Sequence, residues 1–82
     1  MLLLATYPSS HAALRAESQL KAAGVPVELI PVPRQVRSSC GFCLLAQAPD
    51  GAELLRASGA EGLWLAREPE PGTFRRTYEP YL

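Results

Sequence analysis

The chain has 82 residues, with eight Lys/Arg against eight Asp/Glu, one His and two Cys. That length holds one domain with a modest core, and the balanced charge supplies no concentrated basic field, so neither nucleic acid nor an anionic membrane surface is expected as a partner. The apolar start Met1-Leu-Leu-Leu-Ala5 lacks a basic leader and is too short to span a bilayer, so the expected localisation is cytoplasmic.

In chain order, Leu2 to Thr6 reads as a short strand buried on both faces and closed by Tyr7-Pro8. Ser9 or Ser10 then N-caps a helix whose apolar positions Ala12, Ala13, Ala16, Leu20 and Ala23 follow helical spacing, with Gly24 at C′. Val25 to Val32 is β-branched and apolar, with Glu28 its one charge. Pro26, Pro31 and Pro33 cannot donate to a ladder, so this is expected to be an edge strand. Phe42 to Ala48 supplies a third strand. Pro49-Asp50-Gly51 opens a second helix that runs to about Ser58 and closes at Gly59, and Gly62 to Arg67 makes a fourth strand.

The order β-α-β-β-α-β predicts an α+β, ferredoxin-like two-layer sandwich over residues 1–67. Residues 68–82 are then a Pro-rich linker and C-terminal tail. Glu68-Pro-Glu-Pro-Gly72 should leave the core, while Phe74, Tyr78 and Tyr81 give the tail enough apolar surface to pack back on the domain or on a partner. With strands one and two parallel, the connection between strands two and three falls at the same end of the sheet as the turn that starts the first helix. The Cys40 loop is therefore expected to meet Ser9, Ser10 and His11.

That loop, Pro31-Val-Pro-Arg-Gln-Val-Arg-Ser-Ser-Cys-Gly-Phe-Cys43, carries both cysteines as a Cys-x-x-Cys pair behind two arginines and two serines. In a reducing compartment such a pair is catalytic, redox-active or metal-binding more often than a structural staple. The thiolate is the nucleophile, and nearby cations, hydroxyl donors and backbone N–H groups favour it. Arg34, Arg37, Ser38 and Ser39 suit an anion at Cys40, and Gly41 lets the backbone approach it, so the loop is a candidate anion nest. His11 is a candidate general base or thiolate partner.

Tyr7-Pro-Ser-Ser-His11, Ile30-Pro-Val-Pro-Arg34 and Ser38-Ser-Cys-Gly41 together resemble the selenium/sulfur carrier protein-like family over residues 2 to 66. The resemblance implies a protein that works beside cysteine desulfurase or selenium-metabolism enzymes. In it Cys40 would hold the chalcogen as a persulfide or selenosulfide, acting as a carrier more than as an independent enzyme. It calls for no cofactor. Cys43 is an addition to the family pattern and leaves a resolving-thiol role open.

Other readings stand beside these. Cys43, between Phe42 and Leu44, reads equally as a small buried hydrophobe. His11 reads as a solvent-facing first-turn residue, Arg34 and Arg37 as solvated loop charges, Ser9 and Ser10 as helix caps, and Tyr7 and Trp64 as packing residues. No metal is expected, because a closed zinc site needs four ligands and His11 is the one histidine. A Cys-x-x-Cys redox protein, a small anion-binding or regulatory ferredoxin-like module, and homodimerisation through an edge strand all remain open.

Overall fold

The computed structural model describes residues 2–36, 41–47, 51–67 and 76–81, with residues 51 and 52 described by backbone alone. Its elements are β1 (Leu2–Thr6), α1 (Ser10–Ala22), β2 (Val27–Pro31), β3 (Phe42–Gln47), α2 (Gly51–Ala57), β4 (Gly62–Arg67) and β5 (Thr77–Pro80). The strands form one sheet in the order β2-β3-β1-β4-β5, antiparallel at every pairing.

Leu3, Leu4 and Ala5 of β1 are fully buried. A strand with no consistently polar face needs cover on both sides and hydrogen-bonded neighbours on both edges. Its central position, with β3 on one edge and β4 on the other, supplies the neighbours.

The cover comes from two apolar clusters. On one face Leu3, Ala5 and Tyr7, Leu44 and Ala46, and Leu63 pack under Ala13, Ala16 and Leu20 of α1 and Leu55 of α2. On the other face Leu4, Cys43, Leu45 and Ala66 pack with Val36, flanked by Leu2, Ile30, Val32, Trp64 and Tyr78. The alternation of side chains along each strand sorts these residues between the faces. Leu4↔Leu45 and Leu4↔Trp64 hold one set in register, and Ala5↔Leu44 and Ala5↔Leu63 hold the other.

Local signals place the helices. Ser9 is extended, and its Oγ accepts from the Ala12 N–H at 3.1 Å, which makes it the N-cap of α1. At the other end Gly24 has φ +81, with Gly24 N–H on the Lys21 carbonyl at 3.0 Å and Val25 N–H on Leu20 at 2.9 Å. The end of α2 repeats this arrangement at Gly59, φ +97, where Ala60 N–H reaches Leu55 at 3.2 Å. Both are left-handed terminations in which glycine avoids the Cβ penalty.

β2 lies at a sheet edge, as its prolines require. Val32 N–H donates to Gly41 and Gln47 N–H to Pro26, so the even-numbered positions of β2 face β3. Pro31 therefore sits where a missing N–H removes no ladder bond.

One expectation is corrected. Residues 77–80, expected within a tail with apolar surface to pack back on the domain, do pack back but as a strand: they form β5 and extend the sheet beyond β4 to five strands, while residues 68–72 and Phe74 lie outside the described residues. Tyr78 packs on the second cluster, Tyr81 N–H donates to Leu63 at 2.9 Å, and Arg67 Nε lies 3.1 Å from Glu79. No helix among the described residues is long and apolar enough to cross a membrane.

Candidate functional site

Register fixes what gathers at one end of the sheet. Ile30 pairs with Cys43, Cys43 with Thr6, and Thr6 with Gly62, so the four form a row across β2, β3, β1 and β4. One step beyond the row, the Val32 N–H to Gly41 carbonyl bond at 3.2 Å carries the β2–β3 pairing outward. The turn from β1 into α1 begins at the same end, because Thr6 closes β1 opposite Cys43. Gly41 thus shares this end of the sheet with Ser9, Ser10 and His11.

Ser9 is an exposed cap, Ser10 and His11 are exposed in the first turn of α1, and no acidic residue occupies that turn. A helix N-terminus without carboxylates keeps its partial positive charge. Gly41 is exposed as well. Arg37, Ser38, Ser39 and Cys40 lie outside the described residues.

Arg34 sits in a turn closed by Val36 N–H on the Pro33 carbonyl at 3.0 Å. Val36 is 3% exposed and is a member of the cluster on the face away from the helices, so this stretch folds across that face. Arg34 and His11 consequently belong to opposite faces of the sheet. Neither side chain makes a hydrogen bond or ion pair with a described residue.

Cys43 is fully buried, with its Sγ 3.7 Å from the Ile30 carbonyl oxygen and 3.9 Å from that of Pro31. Carbonyl oxygens and an apolar shell favour the protonated S–H over the thiolate. Cys43 is therefore a strand residue facing the core, three positions after Cys40 in the sequence.

The resolved shift in acidity concerns Tyr7. Burial pushes its phenol above the ordinary value of 10. Ser58 Oγ donates its one proton to the Leu55 carbonyl at 2.7 Å, so at 2.9 Å the Tyr7 hydroxyl is the donor to Ser58. This bond ties the turn before α1 to the end of α2.

Residues 2–64 match the family described as "Putative Se/S carrier protein-like". The chain belongs to that family. The match spans most of the Se/S carrier-family chain and covers the loop with Cys40, and it stops before β5. No curated protein and no solved structure matches the chain.

Sequence reasoning missed several features of the Se/S carrier-family chain. Val36 was hidden among the loop's polar residues, although its being the sole apolar residue between Arg34 and Arg37 was a usable signal. Arg76, just before β5, was not singled out, and Tyr78 packs back on the domain as expected but does so through a strand whose four residues Thr-Tyr-Glu-Pro carry no strand pattern. Trp64 has its indole Nε1 buried without an acceptor beside Gly62, which spacing alone could not indicate.

Proposed function

We propose that this chain carries sulfur or selenium on Cys40, as a persulfide or selenosulfide, between a desulfurase-type donor and an acceptor enzyme. It acts as a carrier and not as an independent enzyme. Family membership over residues 2–64, a span that includes Cys40, is the observation that carries this reading.

The fold supports it. Strand order β2-β3-β1-β4 supports treating residues 1–67 as a ferredoxin-like unit to which β5 is added. In this reading the thiolate of Cys40 and the anionic terminal chalcogen gain from Arg34 and Arg37, from Ser38, Ser39 and the Gly41 backbone, and from the acid-free start of α1 with Ser9, Ser10 and His11. The fully buried setting of Cys43 supports a packing role. A resolving role would require the start of β3 to open. A homodimer through the β2 edge would have the outward N–H groups of Val27 and Leu29 to use, since Pro31 has none.

Intact mass spectrometry after incubation with a cysteine desulfurase and cysteine or selenocysteine tests the proposal. Wild type should gain one sulfur or selenium atom, reversibly on reduction, and Cys40→Ala should not. Loading that survives in Cys40→Ala removes Cys40 as the carrier. Absence of loading in every variant, with the desulfurase active, favours a small anion-binding module instead.

A further inference from the structure

The face of the sheet away from the helices carries a cleft of about 420 Å³ lined by Pro33, Arg34, Gln35, Arg76 and Tyr78. Its two walls come from distant parts of the chain, the turn after β2 and the start of β5. Gln35 Nε2 joins them by donating to the Arg76 carbonyl at 3.4 Å. Val36 beside the first wall and Tyr78 in the second both pack on the cluster around Leu4 and Cys43, which fixes the walls relative to the sheet.

Among the described residues that line it, two of five are arginines and none is a carboxylate. Glu79, next to Tyr78, faces the other way along β5 and is held 3.1 Å from Arg67. Glu28 lines a neighbouring cleft that shares Arg76, but not this one. In a chain of zero net charge, the described lining thus concentrates cationic side chains. Its volume is that of a small-molecule pocket. Guanidinium groups recognise planar oxyanions through paired N–H donors, while the Pro33 ring and the Tyr78 phenol offer apolar surface to a short organic stem.

We propose that this cleft binds a carboxylate-bearing low-molecular-weight thiol in its persulfide form, and so admits a small-molecule donor to the carrier. Arg34 and Arg76 hold the carboxylates, and Tyr78 and Pro33 pack against the stem. The transfer half rests on the carrier reading above, because Arg34 belongs to the same connection between β2 and β3 as Cys40. The step is an exchange without net oxidation. The Cys40 thiolate attacks the outer sulfur of the donor persulfide and forms a new S–S bond, and the donor's own S–S bond breaks. Its electron pair leaves on the inner sulfur as the free donor thiolate, and any proton on the outer sulfur travels with it.

Binding and transfer are tested separately on the full chain. Glutathione is titrated into Cys40→Ser protein by isothermal calorimetry, with inorganic phosphate as a second arm. Saturable glutathione binding, weakened roughly tenfold in Arg34→Gln, is expected from the loss of a charge-assisted contact. Absence of binding, binding indifferent to both Arg34→Gln and Arg76→Gln, or phosphate binding as tightly as glutathione overturns the donor site. Transfer is then followed by intact mass, with glutathione persulfide compared against the uncharged persulfide of 2-mercaptoethanol. Arg34→Gln should slow loading from the first about tenfold relative to the second. Equal slowing of both overturns the cleft proposal, since Arg34 would then act on Cys40 alone and not on the donor's carboxylates. Glutathione binding that depends on Arg34, with no loading of Cys40 from either persulfide, leaves the cleft intact and removes the carrier reading.

Discussion

Thr6 and Cys43 stand opposite one another across β1 and β3, both buried on the face that the helices leave uncovered. The second cysteine of the Cys-x-x-Cys pair is therefore built into the sheet, where water and thiol reagents do not reach it.

Alkylation should register this. Under native conditions iodoacetamide is expected to modify one thiol per chain, at Cys40, and to reach Cys43 only in denaturant. Peptide mass mapping of Cys40→Ser and Cys43→Ser variants checks it, and rapid native labelling of Cys43 would contradict the buried assignment. An activated Cys40 should also react at pH values well below the ordinary thiol pKa of about 8.5.

Cys43→Ala should cost about 1–2 kcal/mol through the cavity it leaves beside Leu4, Val36 and Leu45. It should still permit loading of Cys40. Urea denaturation measures the first effect and intact mass the second. A variant that accumulates more loaded form than wild type would instead mark Cys43 as a resolving thiol.

Tyr7 couples stability to alkaline pH. Its folded-state pKa is raised above 10, so the native state holds the proton more tightly than the unfolded chain does. Its contribution is fully present below about pH 10 and is lost as pH rises through the folded value. Thermal unfolding at stepped pH should show this loss in wild type and not in Tyr7→Phe. At neutral pH, Tyr7→Phe and Ser58→Ala should show a coupling of about 1 kcal/mol in a double-mutant cycle. An additive cycle would deny the bond any energetic weight.

Gly62→Ala tests the row at the end of the sheet. A Cβ at Gly62 would lie 2.9 Å from Thr6 Oγ1 and 3.6 Å from Trp64 Nε1. Thr6 is β-branched and buried, so its hydroxyl has little room to turn aside. The substitution is expected to cost roughly 1–3 kcal/mol. Thr6→Ala in the same chain should recover part of it, and a melting temperature unchanged by Gly62→Ala would show that the contact relaxes freely.

Truncation after Arg67 removes β5 and uncovers Ala66 and Trp64 on the second face. The expected result is a lower melting temperature and a red-shifted Trp64 emission. Tyr78→Ala should move both in the same direction by less. Unchanged emission after truncation would mean that β5 contributes no cover to Trp64.

Much of this architecture was legible because local chemistry pointed the same way as the tertiary structure. Ser9 capped α1, Gly24 and Gly59 ended the two helices, and the prolines put β2 at an edge. β5 was not legible, because a four-residue strand with a proline and a glutamate draws its order from pairing with β4 and not from propensity. The site was legible in part. Sheet topology brought Gly41 to the end that holds Ser9 and His11, as the order of elements required. The split of Arg34 and His11 between the two faces depends on Val36 entering the second cluster, a long-range packing choice that loop composition does not encode.

The central position of β1 also orders the ways the molecule can come apart. Its amides are bonded on both edges and screened on both faces, so they should be the last to exchange with deuterated solvent, at rates set by global unfolding. β2 and β5, at the two edges of the sheet among the described residues, can detach singly and leave the β3-β1-β4 triplet standing. Both walls of the arginine cleft adjoin those two strands. A partial opening that empties the cleft therefore requires no loss of the sheet's centre.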